Sequence, residues 1–287
     1  LEEADYITRV AREALAENVD HTMADLYRTY AQSRLVEDGL RQANIAYVVL
    51  GGVGFYERKE IKDALSYLKL VMNPHDDLAL RRVINVPAGG IAKGVMDAPE
   101  RVDPGRVPDD LPPLLAGLAP TVVSTSLWTK LVTAVDQRLL SPRQVASLSA
   151  FRDLVQGLAA MARQECVSIA LGKVIDQSGY LRDLREEHSE EADARIENLM
   201  ELVSAAREYE TREPEASLPG FVDRLSLLSD VDKEQGTRSA RVLLMTLHSA
   251  KGLEFPVVVL AGLEEGLFPH SRAADDESEL EEEGRLC

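Results

Sequence analysis

The chain has 287 residues, of which 45% are hydrophobic, and this predicts about two domains with sizeable cores. No apolar run approaches the roughly 18 residues that a membrane span needs, and no signal peptide is visible, so we expect a cytoplasmic protein that does not bind a membrane. The two cysteines, Cys166 and Cys287, are too few for a disulfide framework, and no His/Cys cluster has zinc spacing, so we expect no structural metal.

The formal net charge of −17 argues against a nucleic-acid partner, because phosphate binding depends on Lys and Arg side chains. It does not exclude one, since an acidic body can still present a local channel lined by basic or hydroxyl groups. Much of the acid is concentrated at residues 186–191 and 275–283, in runs that are typical of solvated faces or tails.

The N-terminal part has the apolar spacing of two helices and two short strands. In the order helix, strand, helix, strand, they cover residues 1–18, 23–27, 33–43 and 45–50. Gly51 and Gly52 end the second strand. A strand, a helix and a strand in this order form a βαβ unit, which predicts parallel strands with a right-handed crossover.

The middle of the chain predicts a mostly α-helical unit. A helix follows Arg58, with Asp63 on its solvated face, and Asn73-Pro74 ends it. Its apolar face consists of Ile61, Leu65, Leu68 and Met72. Trp128 has apolar neighbours and is expected in the core. Residues 97–113 are rich in proline and predict an irregular loop. Further helices are expected at residues 78–84, 114–118, 127–140, 142–163, 167–178, 192–207 and 218–228.

Two apolar runs near the C-terminus, residues 242–245 and 256–261, predict two more strands. Runs of this length suit strands that are buried on both faces of a parallel sheet. The polar connection between them follows the carboxyl end of a strand, where open α/β sheets bind ligands. From the residues alone, it is either a phosphate-binding loop or a polar loop with a solvated Lys251 and a capping Ser249.

The segment TLHSAKGLEF at residues 246–255, followed by GLEEGLFPH at 262–270, resembles the motif V region of superfamily 1A DNA helicases of the UvrD/PcrA/Rep type. LYRTYAQSR at residues 26–34, with the residues after it, resembles the opening of domain 2A of these helicases. The resemblance implies an α/β fold in which a RecA-like parallel-sheet domain (2A) is interrupted by a mostly α-helical insertion domain (2B). Domain 2A would take residues 1–57 and 240–287, and domain 2B residues 58–239.

The resemblance also implies roles for single residues. Glu254 and Gly252 would bind a nucleotide, the carboxylate by accepting hydrogen bonds from ribose hydroxyls. DNA contacts are implied for nine residues: Thr246, His248, Ser249, Arg28, Thr29, Tyr30, Arg58, Gly90 and Ile91. No catalytic residue and no metal ligand is implied within this chain. For several of them a structural alternative stays open: His248 as a satisfied structural histidine, and the turn at Gly90 as a plain connection between helices.

Four positions depart from the pattern of the family. Tyr30 stands where the family usually has Asn, and it could stack on a base. Gly54 stands where a basic residue is usual, so a positive charge is absent there. Gly89 and Gly284 each stand where the family usually has Arg. The departures at residues 30, 54 and 89 concern the details of the DNA contacts, whereas Gly284 lies in the segment that resembles the beginning of motif VI.

The function that the resemblance implies is that of a C-terminal-half fragment of an ATP-dependent 3′-to-5′ DNA helicase in DNA repair or replication. The full-length enzyme would use ATP and Mg²⁺, and the partners would be single-stranded DNA, a junction of single and double strand, and an N-terminal half with domains 1A and 1B. The chain has no GxxxxGK[ST] loop, no Walker B strand and no arginine finger, so we expect the fragment alone to be inactive.

Two other functions stay open at this point. A non-enzymatic DNA-binding or regulatory module would bind a duplex or a protein with its helical unit and would need no ATPase half. A fragment of a helicase-nuclease of the RecB/AddA type is less favoured, because the compact helical unit and the unbroken motif matches fit the simpler helicases better.

Overall fold

The computed structural model describes residues 2–17, 21–87, 126–234 and 240–264. The chain divides into two compact units, with limits at residues 61/62, 189/190, 202/203 and 223/224. The first unit comprises the two outer stretches of the chain together with residues 190–202, and the second unit comprises the rest. The domain limits implied by the family, with domain 2B at residues 58–239, stay a prediction.

The first unit begins with helix α1 (Glu2–Glu17), strand β1 (Met23–Tyr27), helix α2 (Ser33–Gln42) and strand β2 (Tyr47–Val49). Short 3-10 turns at Tyr30–Gln32 and Phe55–Glu57 follow the two strands. After the helical middle of the chain come strand β3 (Val242–Thr246), the single helical turn α11 (Leu247–Ala250) and strand β4 (Val257–Leu260). The helices between β2 and β3 are α3 (Lys59–Met72), α4 (Asp77–Val83), α5 (Leu127–Asp136), α6 (Pro142–Ala162), α7 (Val167–Gln177), α8 (Tyr180–Glu187), α9 (Glu190–Arg212) and α10 (Leu218–Glu234).

The four strands form one parallel sheet in the order β2-β3-β1-β4. Met23, the first residue of β1, pairs with the first residues of both neighbours, Val242 and Val257. The predicted parallel orientation of the strands is therefore confirmed. The strands β1 and β2 share the sheet but are not adjacent, because β3 lies between them.

Alternation along the strands gives the sheet two apolar faces. On one face, residues such as Tyr27 and Leu244 form a core with Ile7 and Ala11 of α1 and Leu40 of α2. The other face is built by the intervening strand residues. Its cluster consists of Ala24, Leu26, Met245 and Leu247, with Leu50, Leu243, Ala250 and Phe255 packed against it.

Strand β4 corrects one expectation. Its burial alternates along the strand, and Val258 and Leu260 are 49% and 37% exposed. The prediction of burial on both faces is therefore wrong for this strand. In the described part of the sheet β4 is an edge strand, with a neighbour on one side only.

The second unit is helical, as predicted, and Trp128 lies in its core. Two expectations for this unit are corrected. Asp63 does not face solvent: it is 2% exposed and accepts hydrogen bonds from Arg82 Nε (2.7 Å) and the Tyr180 hydroxyl (3.0 Å). Helix α8 was not predicted, because most of its residues are polar and only Tyr180, Leu181 and Leu184 are buried.

Some predicted features lie outside the described residues, namely the helix at 114–118, the loop at 97–113 and the turn that contains Gly90 and Ile91. No helix within the described ranges is long and apolar enough to cross a membrane.

Asp25 is a carboxylic acid in the middle of the sheet. It is fully buried in β1, and among the described residues neither of its oxygens has a hydrogen-bond partner. Burial, followed by the negative charge of Glu3, raises the pKa of Asp25 from 3.8 to about 7. Between pH 3.8 and about 7, Asp25 therefore keeps its proton in the folded protein but loses it in the unfolded chain.

The sign of the pH dependence follows from this difference. Because the folded state binds more protons, the free energy of unfolding falls as pH rises through the folded pKa, by roughly 1.4 kcal/mol between pH 6 and 8.5. Asp25→Val removes this dependence and the cost of the buried carboxyl group. We expect the variant to be more stable than the parent, with a larger advantage at pH 8.5 than at pH 6. Urea unfolding at both pH values measures it.

The matched control is Asp5→Val, which removes an exposed acid from α1. This control should show no comparable gain in stability at either pH. An advantage of Asp25→Val that is the same at both pH values would contradict the raised pKa.

Candidate functional site

Three loops meet at the carboxyl edge of the sheet, because all four strands are parallel. The loop after β1 holds Arg28, Thr29 and Tyr30, the loop after β2 begins at Gly51, and the turn α11 follows β3. Gly51 is the point where they come together. A Cβ added there would lie 3.0 Å from the Tyr30 hydroxyl oxygen and 3.1 Å from Ser249 Oγ.

The polar side chains at the turn after β3 differ in their exposure to solvent. Thr246 is 8% exposed, and its Oγ1 accepts a hydrogen bond from the Ser249 amide (3.3 Å) and lies 2.9 Å from Ser249 Oγ. It is thus the N-terminal cap of α11. His248 and Ser249 are exposed. The structure therefore presents the imidazole and one hydroxyl to solvent, while the Thr246 hydroxyl holds the turn.

Tyr30 connects two of the loops. Its hydroxyl donates a hydrogen bond to the Gly51 carbonyl (2.9 Å). The guanidinium carbon of Arg58 lies 5.6 Å from the centre of its ring, and the Tyr27 ring meets it edge-on at 6.1 Å. A Cβ at Gly52 would come within 3.0 Å of the ring. With these neighbours the ring holds the loops after β1 and β2 together. This geometry does not support the stacking of a base on the ring.

Arg58 was predicted to contact DNA, but its side chain is 7% exposed. Its guanidinium donates hydrogen bonds to the Tyr30 carbonyl (2.8 Å), Asn198 Oδ1 (2.7 Å) and Ser33 Oγ (2.8 Å). Burial lowers the pKa of Arg58 below its ordinary value, while the nearby Glu37 opposes the shift. A direct contact with DNA therefore has no support here, and the side chain instead holds the loop after β1 from inside.

Behind Arg58 lies Glu37, a fully buried carboxylate in α2. It accepts hydrogen bonds from the Phe55 amide (3.1 and 3.2 Å to its two oxygens), Ser33 Oγ (2.6 Å) and the Tyr47 hydroxyl (3.2 Å). One oxygen is 3.8 Å from the Arg58 guanidinium. Burial raises the pKa of Glu37, while Arg58, the hydrogen bonds from Ser33 and the Phe55 amide, and the nearby Arg41 act in the opposite direction. This carboxylate thus ties α2 to the segment after β2.

Glu37 was missed by the sequence analysis. It is assigned no role there, whereas the structure buries it completely. A signal was present, since Ser33, Glu37 and Arg41 repeat at a spacing of four and therefore lie on one side of the helix.

Gly252 and Glu254, the predicted nucleotide ligands, are exposed in the connection between α11 and β4. Gly252 has φ +84°, a conformation that favours glycine. β4 begins at Val257, opposite Met23, at the amino edge of the sheet. Glu254 therefore lies on the part of the connection that returns toward this edge. The structure does not bring it together with Thr246, which ends β3 at the opposite edge.

Beneath this connection is a small apolar cavity of about 160 Å³. It is lined by Leu26, Leu247, Ala250, Lys251, Leu253, Phe255 and Val258. Within the described residues, no group of three or more His, Cys, Asp or Glu side chains is arranged to hold a metal ion. Gly90 and Ile91, the remaining predicted DNA contacts, lie outside the described residues.

Residues 1–102 and 126–287 match the family model described as the UvrD-like helicase C-terminal domain. The chain belongs to this family. The resemblance found in the sequence is thereby confirmed, and with it the α/β fold of RecA-like type.

Three relatives named ATP-dependent DNA helicase PcrA illustrate how this UvrD-like chain compares with longer proteins. It is 37% identical to the one from Bacillus subtilis over 92% of its own length, 39% identical to one from Staphylococcus epidermidis over 100%, and 40% identical to one from Staphylococcus aureus over 92%. The aligned part is 34% to 37% of each relative. The chain thus spans about a third of the length of these relatives.

The Glu37 network yields a prediction about stability. Glu37→Ala leaves the Phe55 amide and the buried Arg58 guanidinium without their carboxylate, and we expect the free energy of unfolding to fall by roughly 3 kcal/mol or more. Urea unfolding followed by circular dichroism measures this change. Glu13→Ala, which removes an exposed glutamate from α1, is the control. A loss no larger than that of the control would show that the network does not stabilise the unit.

Proposed function

We propose that this chain is the C-terminal portion of an ATP-dependent DNA helicase that moves 3′ to 5′ along single-stranded DNA, in repair or replication. The observation that carries the proposal is the convergence of the loops after β1, β2 and β3 at one edge of a UvrD-like sheet. The name shared by the relatives, ATP-dependent DNA helicase PcrA, supports the same activity.

The DNA strand would lie along this carboxyl edge. His248 and Ser249 are exposed there and offer a ring nitrogen and a hydroxyl to phosphate or sugar oxygens. Arg28 and Thr29, in the adjacent loop, add a cation and a second hydroxyl. A local cation matters, because the chain as a whole carries a net charge of −17 and repels phosphate at long range.

Three of the other residues implied as DNA contacts hold the loops of this surface in place. Thr246 caps α11, Tyr30 braces Gly51, and Arg58 holds the Tyr30 carbonyl. We assign them the positioning of the loops. Gly90 and Ile91 are proposed, from the family resemblance, to approach the phosphates of the duplex at the junction of single and double strand.

ATP, with Mg²⁺, is the proposed second substrate of the complete protein. Glu254 would accept hydrogen bonds from the ribose hydroxyls, and Gly252 would let the backbone come close to the nucleotide. Both residues belong to the connection that begins with His248 and Ser249. A ligand bound at either part of one connection can bias the position of the other part, which is a physical route for coupling.

DNA binding at this edge is testable with His248→Ala. We expect the variant to weaken the binding of a fluorescently labelled 3′-tailed duplex about 5- to 10-fold, because an exposed hydrogen-bonding group is lost. Fluorescence anisotropy at about 50 mM and about 200 mM salt measures the affinity, and higher salt should weaken the binding of the parent chain.

The control for this test is His188→Asn, which removes an exposed imidazole in the second unit and keeps a residue type that tolerates its φ of 49°. Tight binding that is indifferent to His248 would contradict the proposed interface. It would favour a non-enzymatic module that holds DNA with its helical unit.

The 287-residue chain should not hydrolyse ATP by itself. It contains no GxxxxGK[ST] sequence, and therefore no such loop to hold the β- and γ-phosphates and their magnesium ion. Phosphate release in the presence of ATP, Mg²⁺ and single-stranded DNA should equal the rate without protein. DNA-stimulated release by the purified chain would overturn this expectation.

A further inference from the structure

The side chain of Gln32 holds the loop after β1 in place. Its Oε1 accepts hydrogen bonds from two consecutive backbone amides, those of Arg28 (3.0 Å) and Thr29 (2.8 Å). Two amides on one acceptor fix the backbone of the residues that lead away from β1. The conformation of this loop therefore depends on a residue whose own side chain does not need to touch a ligand.

The amide nitrogen of the same side chain, Nε2, faces the residues that follow β4, which we call the exit of β4. Gly262 has φ +70°, and a Cβ added there would overlap Gln32 Nε2. The exit is fixed on two further sides. The Gly262 amide donates a hydrogen bond to Glu3 Oε1 of α1 (2.7 Å), and the Ala261 amide donates one to the Leu26 carbonyl (2.8 Å).

We infer that Gln32 is a positioning residue for single-strand binding. It fixes the backbone of Arg28 and Thr29 and sets the position of this backbone relative to Gly262, just after β4. This inference rests on the proposed function, and its ligand is the phosphodiester backbone of a single strand. A loop that is already ordered loses less conformational freedom when it binds, which strengthens binding without any new contact. Because Gln32 fills the space beside Gly262, a shift of the β4 exit displaces the amide that holds Arg28 and Thr29.

Two single variants and their combination test this role. Gln32→Ala removes the acceptor of both amides, and Gly262→Ala pushes the Gln32 side chain away from them. Each change should raise the Kd for a labelled oligothymidine about fivefold and speed the hydrogen exchange of the Arg28 and Thr29 amides. In the double variant the overlap no longer exists, so Gly262→Ala should add little to the effect of Gln32→Ala.

The matched control is Gly179→Ala. Gly179 has φ +82°, so the substitution imposes a similar backbone strain, but a Cβ there would have its nearest neighbour at 3.4 Å, in the second unit. We expect a lower melting temperature and an unchanged Kd. All affinities are measured well below the melting temperature of the least stable variant, so that unfolding does not enter.

The outcomes separate this inference from the proposed function. If His248→Ala weakens binding and Gln32→Ala leaves the Kd unchanged, the proposed interface stands and the positioning role is overturned. A lower melting temperature with unchanged Kd and amide exchange also overturns it, because Gln32 would then be merely structural. Additive effects of Gln32→Ala and Gly262→Ala would refute the link to the β4 exit. A chain that does not bind the oligonucleotide at low salt overturns both proposals.

Discussion

The carboxyl edge of the sheet depends on one buried electrostatic arrangement, the Glu37 carboxylate with the Arg58 guanidinium nearby. Removing a carboxylate from water is costly, and the cost is offset here by hydrogen bonds from the Phe55 amide, Ser33 and Tyr47 together with the positive charge of Arg58. These partners lie on α2, on β2 and on the segment that follows β2. The arrangement therefore fixes the path of the chain after β2. Arg58 also donates a hydrogen bond to the Tyr30 carbonyl, which fixes the loop after β1.

Residues of one sequence motif have different physical roles in this fold. A motif groups residues by their position along the chain, whereas the fold groups them by what surrounds them. His248 and Ser249 are neighbours of Thr246 in sequence, yet only the first two are exposed, because Thr246 must satisfy an amide at the start of α11. Arg58 is a cation and would suit phosphate, but its hydrogen bonds are made inside the protein. A basic residue near a site is therefore not by itself a ligand.

The sequence predicted the elements of this fold better than the environments of its polar residues. The strands β1 and β3 and most helices follow from apolar periodicity, which is a local property. The burial of Asp25 and Asp63 depends on helices and strands distant in the chain, and no local pattern distinguishes these acids from solvated ones. β4 shows the same limit, since its composition suits a buried strand and only the order of the described strands places it at an edge. For the candidate site, the sequence indicated loops that the structure places at one edge of the sheet, but it did not show which of their side chains are exposed and which are buried.

The connection between β3 and β4 adds a constraint on coupling. Since β1 lies between these two strands, the connection must pass over β1, and it does so on the face formed by Leu26. Leu247 belongs to the same apolar cluster and Phe255 packs against it, so the two ends of the connection share one support. The turn that holds His248 and the segment that holds Glu254 therefore rest on the same apolar cluster. A displacement near Glu254 that disturbs this packing would also change the support of the turn at His248, while Gln32 lies between the loop after β1 and Gly262 after β4.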